Sequence, residues 1–263
     1  MSETQEPNES GGGNRPAIHV IPVGYDTLTA EPAETGTAII DATRLRYGLE
    51  SIRVFRSKDK SRPILTAVRL ENQGDYINLV ATDSYRLGVI PVPVKEPMAV
   101  EFPGDVFLSA LIDSDSIESL YGVLKGCRKS NAGTVSLSVE SSGDIRAEVT
   151  LGGKLVVLIL RTIPGEFPNY KALIPDGSGS WAGLADGSAG VGLNPAYLVA
   201  VTKAMASALK GQESAGGVTV PVVVAFTDRK NPATFSIPAD NDPDGQRFPD
   251  PVGILMPVKI TSR

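Results

Sequence analysis

The sequence predicts an α+β fold: helices packed on antiparallel strands. Two observations carry this. A helix-like segment followed by several strand-like ones recurs three times, and the strand-like segments are joined by short turns rich in Gly, Asn, Ser and Asp. The 263 residues, 41% of them hydrophobic, suffice for one large or two small domains with a real core.

Residues 1–15, with Gly11-Gly12-Gly13 after a run of polar and acidic side chains, read as a disordered tail. Ala17 to Val23 reads as a short strand. A helix begins at Asp41, carries Leu45, Leu49 and Ile52 at helical spacing, and ends near Phe55. Arg46, Glu50 and Arg53 share one flank of it, which allows an Arg46–Glu50 pair. Strands follow at Ile64 to Leu70 and Tyr76 to Ala81, separated by the turn Asn72-Gln73-Gly74-Asp75, and a third runs from Leu87 to Val94. Pro91 and Pro93 donate no backbone hydrogen bond, so this third strand is predicted at an edge.

A second helix is predicted from Pro103-Gly104-Asp105 through Val106, Phe107, Ala110 and Leu111, with Asp113 and Asp115 at its solvated end. Alternation at Val135, Leu137 and Val139, then at Ile145, Ala147, Val149 and Leu151, predicts a hairpin across Ser141-Ser142-Gly143-Asp144. Residues 176–190, rich in Gly, Ser and Asp, read as a linker. The third helix has Asn194 as N-cap, Pro195 in its first turn, a stripe of Leu198, Val201, Met205 and Leu209, and Gly211 as its stop. Val218 to Phe226, Thr234 to Ile237 and Gly253 to Ile260 supply the last strands.

Composition excludes several function classes. No apolar run reaches the ~18 residues of a membrane helix and the first residues are acidic and polar, so a cytoplasmic protein without a membrane role is expected. Cys127 is the only cysteine, which leaves no internal disulfide and no Cys-based zinc site. It reads as a surface thiol among Lys125, Arg128 and Lys129. His19 is the only histidine and has no catalytic partner in view. Asp240-Asn241-Asp242-Pro243-Asp244-Gly245 matches half of a calcium loop, but Pro251 stands where the closing Glu belongs, so an acidic turn is expected. Gly177-Ser178-Gly179 resembles a dinucleotide fingerprint without the strand and helix that would make it one. Neither an enzyme, a metal nor a cofactor is expected.

Charge is uneven. From Asp41 to Arg62 seven bases face three acids, in a chain whose net charge is -5. Such a stripe on an acidic body suits a polyanion held at one surface, and it names Arg46, Arg53, Arg56, Lys58, Lys60 and Arg62 as candidate DNA contacts.

Three further segments belong together: Val80-Ala81-Thr82-Asp83-Ser84-Tyr85-Arg86-Leu87-Gly88, Phe167-Pro168-Asn169-Tyr170, and Ile254-Leu255-Met256-Pro257-Val258-Lys259-Ile260. In order, they resemble the peptide-pocket motifs of the bacterial DNA polymerase III β sliding clamp family, and Ser61-Arg62-Pro63-Ile64-Leu65-Thr66 and Leu193-Asn194-Pro195-Ala196-Tyr197-Leu198 extend the likeness. The resemblance implies DNA-clamp-like repeats of one helix on antiparallel strands. It also implies a hydrophobic pocket formed by Leu65, Thr82, Ser84, Tyr85, Arg86 and Leu87, by Pro168 and Leu173 of the linker, and by Ile254, Leu255, Met256, Pro257, Val258 and Lys259. Its implied partners are duplex DNA, DNA polymerase and clamp-loader peptides, and further copies of the chain in a homo-oligomer.

The implied organisation is a tail with a short strand (1–36), a clamp-like domain (37–165), a linker (166–190) and a partial clamp-like domain (191–263). The fold is reduced relative to the three-domain family. Nothing resembles the family's first domain, and the 17 residues between Pro175 and Leu193 are too few for a half-domain of roughly 45 to 55. A tethering clamp is the expected function; a monomeric adaptor or decoy that binds clamp-directed peptides without encircling DNA is the alternative.

Overall fold

The structure, a computed structural model, describes residues 18–22, 37–96, 109–127, 133–174, 193–212, 222–225, 232–237 and 251–257. The tail to residue 15, Pro103 to Phe107, the 176–190 linker, the 240–245 acidic loop and Val258 to Ile260 lie outside them.

The same sequence of elements occurs twice. Strand β2 (Ala38–Asp41) leads into α1 (Ala42–Ile52), a 3₁₀ turn (Arg53–Phe55), a helical turn α2 (Pro63–Thr66), and strands β3 (Val68–Asn72), β4 (Tyr76–Thr82) and β5 (Arg86–Glu96). Then β6 (Ser109–Ile112) leads into α3 (Ser114–Leu124), β7 (Thr134–Val139), β8 (Ile145–Leu151) and β9 (Lys154–Leu160). Both helices start on an aspartate cap: Asp41 Oδ1 accepts from the Thr43 and Arg44 amides, and Asp113 Oδ1 from the Ser116 amide. Each half lends its first strand to the other, since β2 pairs with β7 and β6 with β3. A third helix, α4 (Pro195–Gln212), precedes β10 (Val223–Ala225), β11 (Ala233–Ser236) and β12 (Val252–Leu255). With β1 (Ile18–Pro22), the described strands form one twelve-stranded sheet whose main path is β1-β9-β8-β7-β2-β5-β12-β11-β10.

The main core lies where α1, α3 and α4 cover this sheet. Leu45, Leu49 and Ile52 of α1 meet Ile77, Leu79, Ile90 and Val92, and Val201, Ala204, Met205 and Ala208 of α4 join them. Two glycines permit close approach: a Cβ on Gly48 would come within 2.7 Å of Val92 Cγ2, and one on Gly253 within 3.0 Å of Val201 Cγ1. Gly88 is tighter still, because an added methyl would overlap the ring of buried Phe55. Gly88→Ala is therefore expected to cost about 1–3 kcal/mol by overpacking. A urea midpoint equal to that of the parent would contradict this packing.

Several sequence expectations change. The strand with Pro91 and Pro93 is not an edge: β5 pairs with β4 on one side and with both β12 and β2 on the other. The Val94 amide donates to Asp75 O on the β4 side, so by alternation residues 91 and 93 face the other side. There they fall between the first residue of β12, Val252 opposite Val89, and Ile40 of β2 opposite Val94, where no registered partner needs their amides.

Among the described residues the second half's helix starts after Asp113, and the expected helix does not extend through Ala110 and Leu111. Ala110 and Leu111 belong to β6, and Asp113 caps the helix start instead of ending a helix. Ile64 to Thr66 turn helically after Pro63, with the Ala67 amide donating to Pro63 O. Gly211 lies inside α4 and does not close it. Strand β9 went unread because Leu155 to Leu160 is an unbroken apolar run without alternation. Cys127 is buried, and that burial pushes its thiol up, against the lowering influence of Arg46. The Arg46–Glu50 pair does not form; the Arg46 guanidinium lies 4.0 Å above the ring of Tyr47.

Candidate functional site

On the sheet face turned away from α1 and α4, a second apolar cluster gathers Ala67, Val80, Leu87, Val89, Leu111, Phe167, Tyr170 and Ile254, edged by Ile64, Ile163, Ile174 and Val252. Strand alternation explains the membership. Leu87 and Val89 point one way along β5 while Ile90 and Val92 point into the helical core. Likewise Ile254 of β12 joins this cluster, and its neighbour Leu255 packs beneath the helices.

The three motifs meet here. Leu87 and Ile254 are direct partners across the β5–β12 pair, Arg86 lies opposite Leu255, and Thr82 lies opposite Leu87. The Met256 amide donates to Tyr85 O at 2.9 Å, which extends the pairing one step to the turn between β4 and β5. Asp83 builds that turn: its Oδ1 accepts from the Tyr85 and Arg86 amides, and its Oδ2 meets Arg86 Nε at 2.9 Å. The Thr82 hydroxyl donates to Arg86 O and accepts from the Ser84 amide, leaving Ser84 in the left-handed region at φ 78°. Above it, Arg86 lies 4.7 Å over the ring of Tyr197 from the start of α4.

The linker closes the other side. Phe167 and Tyr170 are buried and meet edge to face at 6.2 Å. The Tyr170 hydroxyl donates to Glu71 Oε2 at 2.5 Å, and Glu71 Oε1 lies 2.9 Å from Arg69 Nε. Burial, followed by the Glu71 contact, pushes the Tyr170 hydroxyl above the ordinary tyrosine range.

Of the predicted pocket residues, Thr82, Leu87 and Ile254 are buried in the floor or its rim, and Leu255 faces the helical core. Leu65, Arg86 and Pro257 are half-buried, while Ser84 and Pro168 are exposed. Three large apolar side chains stand out in solvent: Tyr85 at 58%, Leu173 at 46% and Met256 at 37% exposure. Val258 and Lys259 lie outside the described residues. Sequence reasoning passed over Asp83, Arg69 and Glu71. The Asp at the head of a tight turn was the signal for the first, and nothing local marks the other two. It also passed over a concavity of about 480 Å³ behind Phe167, lined by Arg69, Leu111, Val139, Ile145 and Ile163 among others.

The candidate DNA contacts are not equally free. Arg53 and Arg56 both pair with Glu118 of α3, and the Arg56 side chain is only 10% exposed. Burial works to raise the Glu118 carboxyl, but the hydrogen bonds and charges of the two arginines outweigh it and hold the carboxyl below its ordinary value. Arg62 pairs with Asp59 at 3.1 Å, and Lys58 and Lys60 are exposed.

Comparison with known proteins gives a consistent answer. Residues 39–169 match the family model of the DNA polymerase III beta subunit, central domain. The beta sliding clamp of Micrococcus luteus is 29% identical over 166 residues, which cover 63% of this chain and 49% of that protein. The chain thus matches about half the length of this relative. The DNA polymerase III beta subunit of Thermotoga maritima superposes with a TM-score of 0.56 at 18% identity, over 90% of this chain and 69% of that one. The sliding clamp of Pseudomonas aeruginosa bound to griselimycin superposes with a TM-score of 0.57 at 18% identity, over 89% and 69%. These likenesses establish a clamp-like fold for a partial domain set. Residues 39–169, just under half of the chain, thus match the DNA polymerase III beta subunit family through its central domain.

Proposed function

We propose that this protein is a clamp-type processivity factor, which holds a short extended peptide of a DNA polymerase or clamp loader on the Leu87–Ile254 face and so tethers that partner to duplex DNA. The observation that carries the reading is the direct pairing of Leu87 with Ile254, which joins two distant motifs into one apolar floor beneath Phe167 and Tyr170. A partner inserting two or three apolar side chains over this floor gains roughly 1.5 to 3 kcal/mol for each before ordering costs. Modest affinity and ready exchange of partners follow. Griselimycin, held by the Pseudomonas aeruginosa clamp, is a ready probe. It is expected to compete with a fluorescein-labelled clamp-binding peptide in an anisotropy titration, and a peptide that never binds refutes the reading.

DNA is expected to be held through phosphates without base readout, mainly by Lys58, Lys60 and Arg62, with Arg46, Arg53 and Arg56 behind them. Neutralising Lys58 and Lys60 together is expected to flatten the slope of log K against log salt by about 2, while peptide binding stays the same. An unchanged slope removes these lysines from the DNA contact. Solution mass with and without DNA separates an assembling clamp from the peptide-binding monomer.

A further inference from the structure

At one end of the sheet, β1 lies antiparallel on the outer edge of β9, from Ile18 opposite Leu158 to Pro22 opposite Lys154. The edge it covers is dangerous. Strand β9 reads Lys-Leu-Val-Val-Leu-Ile-Leu, a seven-residue run with no proline and only one charge, the pattern that invites pairing with another chain.

The hairpin before β9 shows which amides face outward. Gly152 and Gly153 both have positive φ, at 52° and 72°, so they form the two-residue turn whose flanking pair, Leu151 and Lys154, is hydrogen-bonded. By alternation Lys154, Val156, Leu158 and Leu160 bond to β8, leaving the backbone groups of Leu155, Val157 and Ile159 directed outward. His19 and Ile21 stand opposite Val157 and Leu155 and take up two of these three positions. On its other side, unpaired among the described strands, β1 is a poor template: it is five residues long and ends in Pro22, which has no amide proton.

We propose that Ile18–Pro22 is a guard strand, and that the edge it shields on β9 otherwise pairs with the same edge of a second copy of this chain. The connection favours shielding within one chain. Strands β1 and β2 are four strand spacings apart, roughly 19 Å. The fifteen residues 23–37 between them reach up to about 50 Å when extended. An antiparallel pair of β9 strands around a two-fold axis satisfies both edges at once and closes the assembly at two copies.

The test uses the full chain with His19→Pro and Ile21→Pro, which remove both amides that β1 offers to β9. Light scattering is expected to give twice the mass of the parent at equal concentration. In that dimer the Leu155 and Val157 amides exchange as slowly as in the parent, because a second copy replaces the guard. Adding Val157→Pro, which deletes an outward amide without touching the β8 ladder, is expected to restore the parental mass. Precipitation of the guard variant that Val157→Pro prevents counts as the same association. An unchanged mass with exchange at Leu155 and Val157 more than tenfold faster overturns the proposal, as does a doubled mass or precipitation that Val157→Pro leaves in place.

Discussion

Met256→Ala and Leu173→Ala combined are expected to weaken binding of a clamp-directed peptide about thirtyfold, with little change in folding stability. Both side chains are large, apolar and exposed beside a buried apolar floor. Truncating two such contacts costs about 2 kcal/mol of binding when a ligand buries them, which is roughly thirtyfold in Kd. Exposed side chains contribute little to the fold, so each change is worth within about 0.5 kcal/mol of stability. Val224→Ala is the control, an exposed valine on β10, two strands beyond β12. Peptide titrations of the three proteins decide the matter. Equal affinities for parent and double variant, or an equal loss in the Val224 control, would remove the peptide site from this face.

The second large effect concerns the charge beneath the linker. Arg69→Met is expected to destabilise the protein by about 3 kcal/mol, lowering Tm by about 6 to 12 °C for a chain of this size. The reason is Glu71, whose side chain is 3% exposed and loses its facing guanidinium. Replacing both residues by methionine together with Tyr170→Phe is expected to recover most of the loss, since that set leaves neither a charge nor the Tyr170 hydroxyl unpaired. The same cluster sets an alkaline limit. Tyr170 titrates higher in the folded state than in the unfolded chain, so its stabilisation is complete below about pH 10 and is lost as pH rises toward the folded value. Tyr170→Phe flattens that fall. Denaturant midpoints between pH 8 and 11 check both statements, and a Tyr170→Phe curve parallel to that of the parent would discount the hydroxyl.

Much of this was legible from residue patterns. Leu45, Leu49 and Ile52 announced α1 by their spacing, and Asn194-Pro195 announced the start of α4, where the Asn194 side chain accepts from the Ala196 amide. Alternation gave β7 and β8. The errors arose where partners are distant in sequence. Pro91 and Pro93 argue for an edge only if a strand lies alongside them, and whether one does depends on where β2 and β12 stop. The expected second helix ran through Ala110 and Leu111 because Asp105 and Asp113 both suit a cap, and only pairing with β3 makes those two residues a strand. At the site, the three motifs marked the floor and rim. Resemblance joined them, since no local rule brings Leu87 to Ile254. Arg53 and Arg56 looked free in sequence because Glu118, their partner, lies more than sixty residues away.

The two gap prolines have a mechanical consequence. A strand held by regular pairing can slip along its neighbour two residues at a time, each slip exchanging one set of bonds for an equivalent one. Beyond Val89 that equivalence fails for β12, because the next outward position on β5 is Pro91, which has a carbonyl but no amide to give. The prolines therefore act as a stop. The stop works in one direction: a shift carrying Met256 from Tyr85 toward Leu87 would bring Val252 opposite Pro91 and lose a ladder bond, whereas a shift the other way meets no proline.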